Sequence, residues 1–221
     1  REARGDEYGE RDSVGDDATA LPAEEDVHMA VEAVLTERLG PLAGRLHTGR
    51  SRNDQIALDL RLWLREAARC AGELLGQVLD ALCALALANL STLLPAYTHR
   101  QRAIPSTVAH WAMAGAAALA RDADLLRAVL RQLDACPLGA GAVAGSSLPL
   151  RRDVTAGLLG FAGPTLNSMD TVGERDAAAD LAYLSARVHG HLSRIAADLV
   201  DFSAPEFGYV QLGDDIACGS S

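Results

Sequence analysis

Lysine is absent from the 221 residues, and all twenty basic side chains are arginine. This excludes a Schiff-base or phosphate-loop lysine within the chain. Aromatic residues are scarce at 4%, while hydrophobic residues reach 49% and are mostly Ala and Leu. Strands draw on β-branched and aromatic side chains, so this balance favours helices and an all-α class. The four cysteines, Cys70, Cys83, Cys136 and Cys218, lie far apart and form no C-x-x-C pair. A reduced, cytoplasmic protein is expected, with no structural disulfide, metal or cofactor. A net charge of −10 argues against a nucleic-acid partner. The charged N-terminus does not read as a signal peptide, and none is expected. The most apolar run, "ALCALALANLSTLL" at 81–94, is short and follows Asp80, so no membrane span is expected.

What is present is largely helical periodicity. The first twenty residues hold seven acids and three arginines, and residues 1–23 read as a solvated, poorly ordered arm. "EEDVHMAVEAVLTERLG" (24–40) predicts an amphipathic helix with Val27, Val31, Val34, Leu35 and Leu39 in one stripe, stopped by Gly40–Pro41. A long helix is predicted from Asn53 to about Leu94, with Ile56, Leu60, Trp63, Leu64, Leu74, Val78, Leu82 and Leu85 as core. A loop over 94–106 follows, and Pro105 is placed to open a second long helix ending near Leu133. Residues 152–159 suggest a short helix and 170–202 a third long one. Three helices of roughly thirty to forty residues far exceed the usual mean of about eleven to twelve. At 1.5 Å per residue they span roughly 45–60 Å, more than one small globule buries, so the apolar sides require partner subunits.

"LHTGRSRNDQ" (46–55) concentrates polar side chains at the mouth of the first long helix. Ser51 and Asp54 form an S-x-x-D capping pattern that explains those two residues structurally. Arg50, Arg52, Asn53 and His47 remain unexplained by capping. A helix N-terminus presents unpaired N–H groups and partial positive charge, and guanidinium and amide groups added there make a receptor for carboxylates or phosphates. His99, in "YTHRQR", is a candidate acid or base whose tautomer Thr98 and Gln101 are placed to fix. His189 and His191 face different sides of a helix and do not suggest a shared metal. The Gly-rich run 136–149 lacks the lysine and flanking strand of a phosphate loop.

Taken with "EEDVHMAVE", "DLRLWLR", "YTHRQRAIP", "PLGAGAVAGSSLP", "NSMDTVGERD", "PEFGYVQL" and "GSS", the "LHTGRSRNDQ" run resembles the argininosuccinate lyase family of the fumarase/aspartase superfamily over roughly residues 24–221. The resemblance implies a long-helix bundle, incomplete here at both ends. Residues 24–49 would end an N-terminal helical domain, and 50–221 would form part of the central bundle. It also implies a homotetramer whose active sites each draw on three subunits. The implied reaction is the reversible elimination of argininosuccinate to arginine and fumarate. By motif position His99 would be the catalytic acid and Ser220 the base. His28, Ser51, Arg52, Asn53, Thr98 and Arg175 would bind substrate.

Arg100, Ile104 and Arg151 depart from the family pattern, which carries an apolar residue, a glutamine and an acid there. The family's mobile loop continues past "GSS" into a lysine- and asparagine-containing run, whereas this sequence stops at Ser221. The chain is therefore expected to be inactive alone. The alternative is a non-catalytic relative of the same fold, either crystallin-like and structural or an assembly partner.

Overall fold

The computed structural model describes residues 25–214, which divide into two units, 25–49 and 50–214. The predicted arm at 1–23, together with Cys218 and Ser220, lies outside the described residues.

In the first unit, helix α1 spans Val27–Leu39 and a 3₁₀ segment spans Gly40–His47. Asp26 caps α1 by accepting from the Met29 N–H, and Gly40 (φ 59°) ends it in the left-handed region that glycine tolerates. His47 Nδ1 lies 2.9 Å from Glu32 Oε1. The predicted stripe is only partly covered, since Val27, Val31 and Leu39 are exposed.

The second unit is built on three long helices: α2 (Arg52–Ala88), α3 (Val108–Gln132) and α6 (Asp176–Ser203). Helix makes up 65% of the structure, in agreement with the all-α reading. Buried side chains fix the helix directions. Leu82 and Ala86, late in α2, meet Ala109, Ala112 and Ala116 early in α3, while Leu64 of α2 meets Val129 late in α3 and Ala177 at the start of α6. Helices α2 and α6 therefore run together and α3 runs against both. Small residues bring the backbones close: a Cβ on Gly115 of α3 would stand 2.9 Å from Ile195 Cδ1 of α6. Leu119, Val129 and Leu133 are fully buried along this seam, each worth roughly 1.5–3 kcal/mol.

Three predicted elements differ. Helix α2 stops at Ala88, and the predicted loop is an antiparallel hairpin of β1 (Leu93–Thr98) and β2 (Gln101–Thr107). Pro95 faces Pro105 across it. Such a pair is tolerated because a two-stranded ribbon has an open edge that needs no proline N–H. Helix α3 starts at Val108 on a Thr107 cap rather than at Pro105. The third long helix begins at Asp176, preceded by a separate turn, α5 (Ser168–Gly173), which Asn167 caps by accepting from the Met169 and Asp170 N–H groups. Helices α3 and α6, with 25 and 28 residues, are shorter than thirty, whereas α2 has 37.

Between α3 and α5 lie β3 (Ala135–Cys136), the Gly-rich loop, α4 (Arg152–Leu158) and β4 (Gly163–Pro164). The strands pair in parallel, and Leu58 of α2 packs with Cys136, Leu138, Ala156 and Phe161 beneath them. Burial pushes the Cys136 thiol up from its ordinary pKa.

Of the predicted α2 core, Leu64 and Leu82 are buried and Val78 is partly so, but Ile56, Trp63, Leu74 and Leu85 are exposed. Helix α2 also contains an 18-residue window apolar enough, by length and composition, to cross a membrane, and only 17% of that window is buried in this chain.

Candidate active site

The mouth of α2 is fixed by hydrogen bonds from both directions. Ser51 Oγ accepts from the Asn53 N–H (3.3 Å), and Asp54 Oδ1 accepts from the Ser51 N–H (2.9 Å), completing the capping box that the sequence suggests. The other oxygen of Asp54 turns to the Gly-rich loop and accepts from the N–H groups of Gly139 (3.0 Å) and Gly141 (2.9 Å). Asp54 is fully buried, and three N–H donors together with the helix dipole offset the cost of its charge. Asn53 Nδ2 donates to Ala142 O (2.9 Å). The Gly-rich run is thus a cradle for this chain's own carboxylate. A glycine is required at position 141, where φ is +64° and a Cβ would stand 2.5 Å from Gly145 O. Around this frame Ser51 and Arg52 are half-buried and Asn53 is exposed.

Arg175 lies on the same end of the bundle. Its guanidinium donates to Glu174 O (2.6 Å) and Val172 O (3.3 Å), folding back over the break between α5 and α6. The break is anchored to α2 by Arg61, which donates to Glu174 Oε2 (2.8 Å) and to Gln132 O (2.9 Å). Glu174 Oε1 in turn accepts from the Ala177 N–H and caps α6. Arg61 stands eight residues beyond Asn53, roughly 12 Å along the axis.

Thr98 and His99 lie elsewhere. Both are exposed at the tip of the β1–β2 hairpin, which follows the far end of α2. The hairpin is held there by Tyr97, whose hydroxyl is 2.6 Å from that of Tyr209 and whose ring meets Phe202, Phe207 and Tyr209 at centroid distances of 5.5–6.5 Å. Trp111 joins the set through Phe202 and donates from Nε1 to Asp198 Oδ2 (2.8 Å). Hydrogen bonding from Tyr97 raises the pKa of both Tyr209 and Arg102. These partners belong to the start of α3, the end of α6 and the segment after it. Helix α2 spans roughly 55 Å for its 37 residues. Within one copy, His99 and the Ser51–Asn53 mouth are separated by most of that length.

The hairpin turn is strained. His99 (φ 52°) and Arg100 (φ 57°) both occupy the left-handed region, as a two-residue type I′ turn requires of positions usually taken by Asn or Gly. Each such residue with a Cβ costs roughly 1–2 kcal/mol. Among the described residues no side chain hydrogen-bonds the His99 ring, so Thr98 and Gln101 do not set its tautomer as the sequence suggests. His28, in the first unit, is half-buried on α1.

Sequence reasoning found the α2 mouth but took Asp54 only for a cap, and it missed the hairpin altogether. It also missed a buried charge cluster between α3 and α6. Asp122, fully buried, lies 2.6 Å from His191 Nδ1, and Arg187 Nη2 stands 2.8 Å from its other oxygen, an ionic contact off hydrogen-bond alignment. Of the three departures from the family pattern, Ile104 is exposed, and Arg151 makes a two-pronged pair with Asp153 that holds that carboxyl down to about 2. Arg100 reaches Asp201 of α6. Among the described residues no group of three or more His, Cys, Asp or Glu is placed to hold a metal ion.

Residues 9–221 match the family model described as "Lyase". The chain is 45% identical over 199 residues to the argininosuccinate lyase of Pseudoalteromonas atlantica, which covers 90% of this chain and 43% of that protein. It thus spans about two fifths of that relative's length. Among solved structures, EDDS lyase in complex with formate superposes with a TM-score of 0.84 at 36% identity, over 88% of this chain and 39% of that one. The class II fumarase of Schistosoma mansoni superposes with a TM-score of 0.71 over 80% of this chain and 45% of its own, and at 19% identity it shares the fold alone.

Proposed function

The chain belongs to this lyase family, and on that premise we propose that it forms part of an argininosuccinate lyase. The reaction is the reversible elimination of argininosuccinate to arginine and fumarate. A base takes the proton from the carbon next to a carboxylate, the C–N bond breaks as the C=C bond forms, and an acid protonates the departing guanidinium nitrogen. The carbanionic intermediate adds charge to a carboxylate, which the positive end of a helix and nearby donors stabilise. Ser51, Arg52 and Asn53 bind a substrate carboxylate, with Arg175 and His28 as further wall residues and Thr98 beside the acid His99. Ser220 is the base.

The observation that carries this reading is the α2 mouth. Ser51, Arg52 and Asn53 gather there on a frame in which the Asp54 carboxylate already accepts from three N–H groups. EDDS lyase shares the same fold at lower identity than the argininosuccinate lyase does over a similar stretch, which favours argininosuccinate as substrate.

The separation of His99 from that mouth supports a site assembled from several copies, in a homotetramer with each site shared among three subunits. The exposed apolar surface of α2 is assigned to the partner copies in that bundle rather than to a membrane. Residues 24–49 end an N-terminal domain, 50–221 belong to the central bundle, and the protein is cytoplasmic.

The test is a chimera in which residues 25–214 replace the matched stretch of the Pseudoalteromonas atlantica enzyme, assayed for fumarate release by ultraviolet absorbance. It should turn over, and His99→Asn should cut kcat by about a hundredfold or more. A chimera that assembles yet releases no fumarate overturns the reading and favours the non-catalytic structural or assembly-partner alternative.

A further inference from the structure

The tip of the β1–β2 hairpin holds His99 in place with very little. Tyr97 is secured by the ring set two residues before His99, and the register slips between Ala96 and Tyr97, leaving Ala103 without an opposite residue. Beyond that bulge the turn consists of two adjacent left-handed residues with side chains, a conformation that does not maintain itself. No side chain among the described residues holds the imidazole, so its direction follows the backbone of the turn.

Beyond the contacts of Tyr97 and Arg102 with Tyr209, one side-chain contact among the described residues reaches the two turn residues from outside. Arg100 Nε stands 3.3 Å from Asp201 Oδ2, and its Nη2 stands 3.4 Å from Oδ1, bridging the turn to the last stretch of α6. The end of α6 does not need this pair. Phe202 is buried in the ring set, and its carbonyl accepts from the N–H groups of Tyr209 (2.9 Å) and Val210 (3.2 Å). The Asp201 carboxylate therefore has its partner on the turn, while the Asp201 carbonyl accepts from the Ala204 N–H that closes α6.

We propose that Asp201 is a positioning residue for His99, acting through Arg100; the catalytic half of this inference rests on the function proposed above. An exposed ion pair shifts a balance between two conformers by about two- to fivefold, so the effect should be of that size and sensitive to salt.

Hydrogen exchange on the 221-residue chain tests the positioning without any assay of activity. Asp201→Asn should speed exchange in a peptide covering 97–102 by about two- to fivefold while a peptide covering 190–203 stays unchanged. The charge-swapped pair Arg100→Asp with Asp201→Arg should restore the slower rate. In the chimera, Asp201→Asn should lower kcat by about three- to fivefold with KM within about twofold. About 1 M salt should lower the unsubstituted chimera's kcat toward the same value and leave the variant unmoved.

Unchanged exchange at 97–102, equal loosening of 190–203, or failure of the swap to rescue would each overturn the proposal. If the unsubstituted chimera assembles but is inactive, the function falls, and the exchange arm alone decides whether Asp201 holds the turn.

Discussion

Asp54 carries two tasks on one carboxylate. One oxygen closes the cap of α2 and the other receives two N–H groups from a loop 85 and 87 residues further along. The first task was legible because Ser51 and Asp54 are three apart in sequence. The second was not, because nothing local marks Gly139 and Gly141 as donors to a residue that distant. Asp54→Ala would leave one buried and two partly buried N–H donors facing an apolar methyl, at a cost of about 3 kcal/mol. Gly141→Ala should act on the same joint from the other side, since its Cβ would meet the Gly145 carbonyl and its φ of +64° disfavours a side chain. Both variants should unfold at lower urea than the unsubstituted chain. Because the two residues share one hydrogen bond, the double variant should lose less than the sum of the singles. Strict additivity in the urea midpoints would mean that the loop and the cap are independent.

At the scale of elements, the helices were legible and the hairpin was not, for a physical reason. Helical period repeats over many turns, and the spacing of Ser51 and Asp54 marks one start, whereas the caps Thr107 and Asn167 were unread and the helices they open were placed off their true starts. The hairpin lacks the usual marks: prolines interrupt both strands, and His99–Arg100 stands where Asn–Gly would announce the turn. The break before α6 was also unread: Gly173 ends α5, and Arg61 holds the next residue, Glu174, to α2 from 113 residues away in sequence. The seam between α3 and α6 adds a charge cluster among apolar contacts. Removing the Asp122 carboxylate would leave Arg187 and His191 without their shared partner between α3 and α6. Asp122→Ala should therefore destabilise the second unit by about 1–3 kcal/mol. Arg187→Met, which keeps the stem of a partly exposed side chain and leaves His191 in place, should cost clearly less. Equal losses in chemical denaturation would show that the Arg187 contact, and not the one with His191, carries the contribution of the Asp122 carboxylate.

At the scale of the molecule, the error in the predicted core is informative. Ile56, Trp63, Leu74 and Leu85 follow the period of a core helix, yet all four are exposed in a single copy. Sequence periodicity reports which side chains are made to be buried, and it does not say whether the same chain buries them. An apolar groove between α2 and α6, lined by Leu74, Leu75, Val78, Leu184, Val188 and Leu192, encloses about 300 Å³ and has almost no polar wall. Leaving such a surface in water is unfavourable for a lone copy, and packing it against further helices of the same bundle removes the cost. The purified chain should therefore self-associate. If residues 50–214 are sufficient for the assembly proposed here, light scattering should give about 93 kDa, four times 23.2 kDa. Leu74→Glu would place a carboxylate in the groove wall at an exposed position, so it should leave the helix content of one copy intact and shift the mass toward 23.2 kDa. The two readouts separate the possibilities. Loss of helix would make Leu74 part of the chain's own core, whereas an unchanged mass would assign the groove to something other than a second copy.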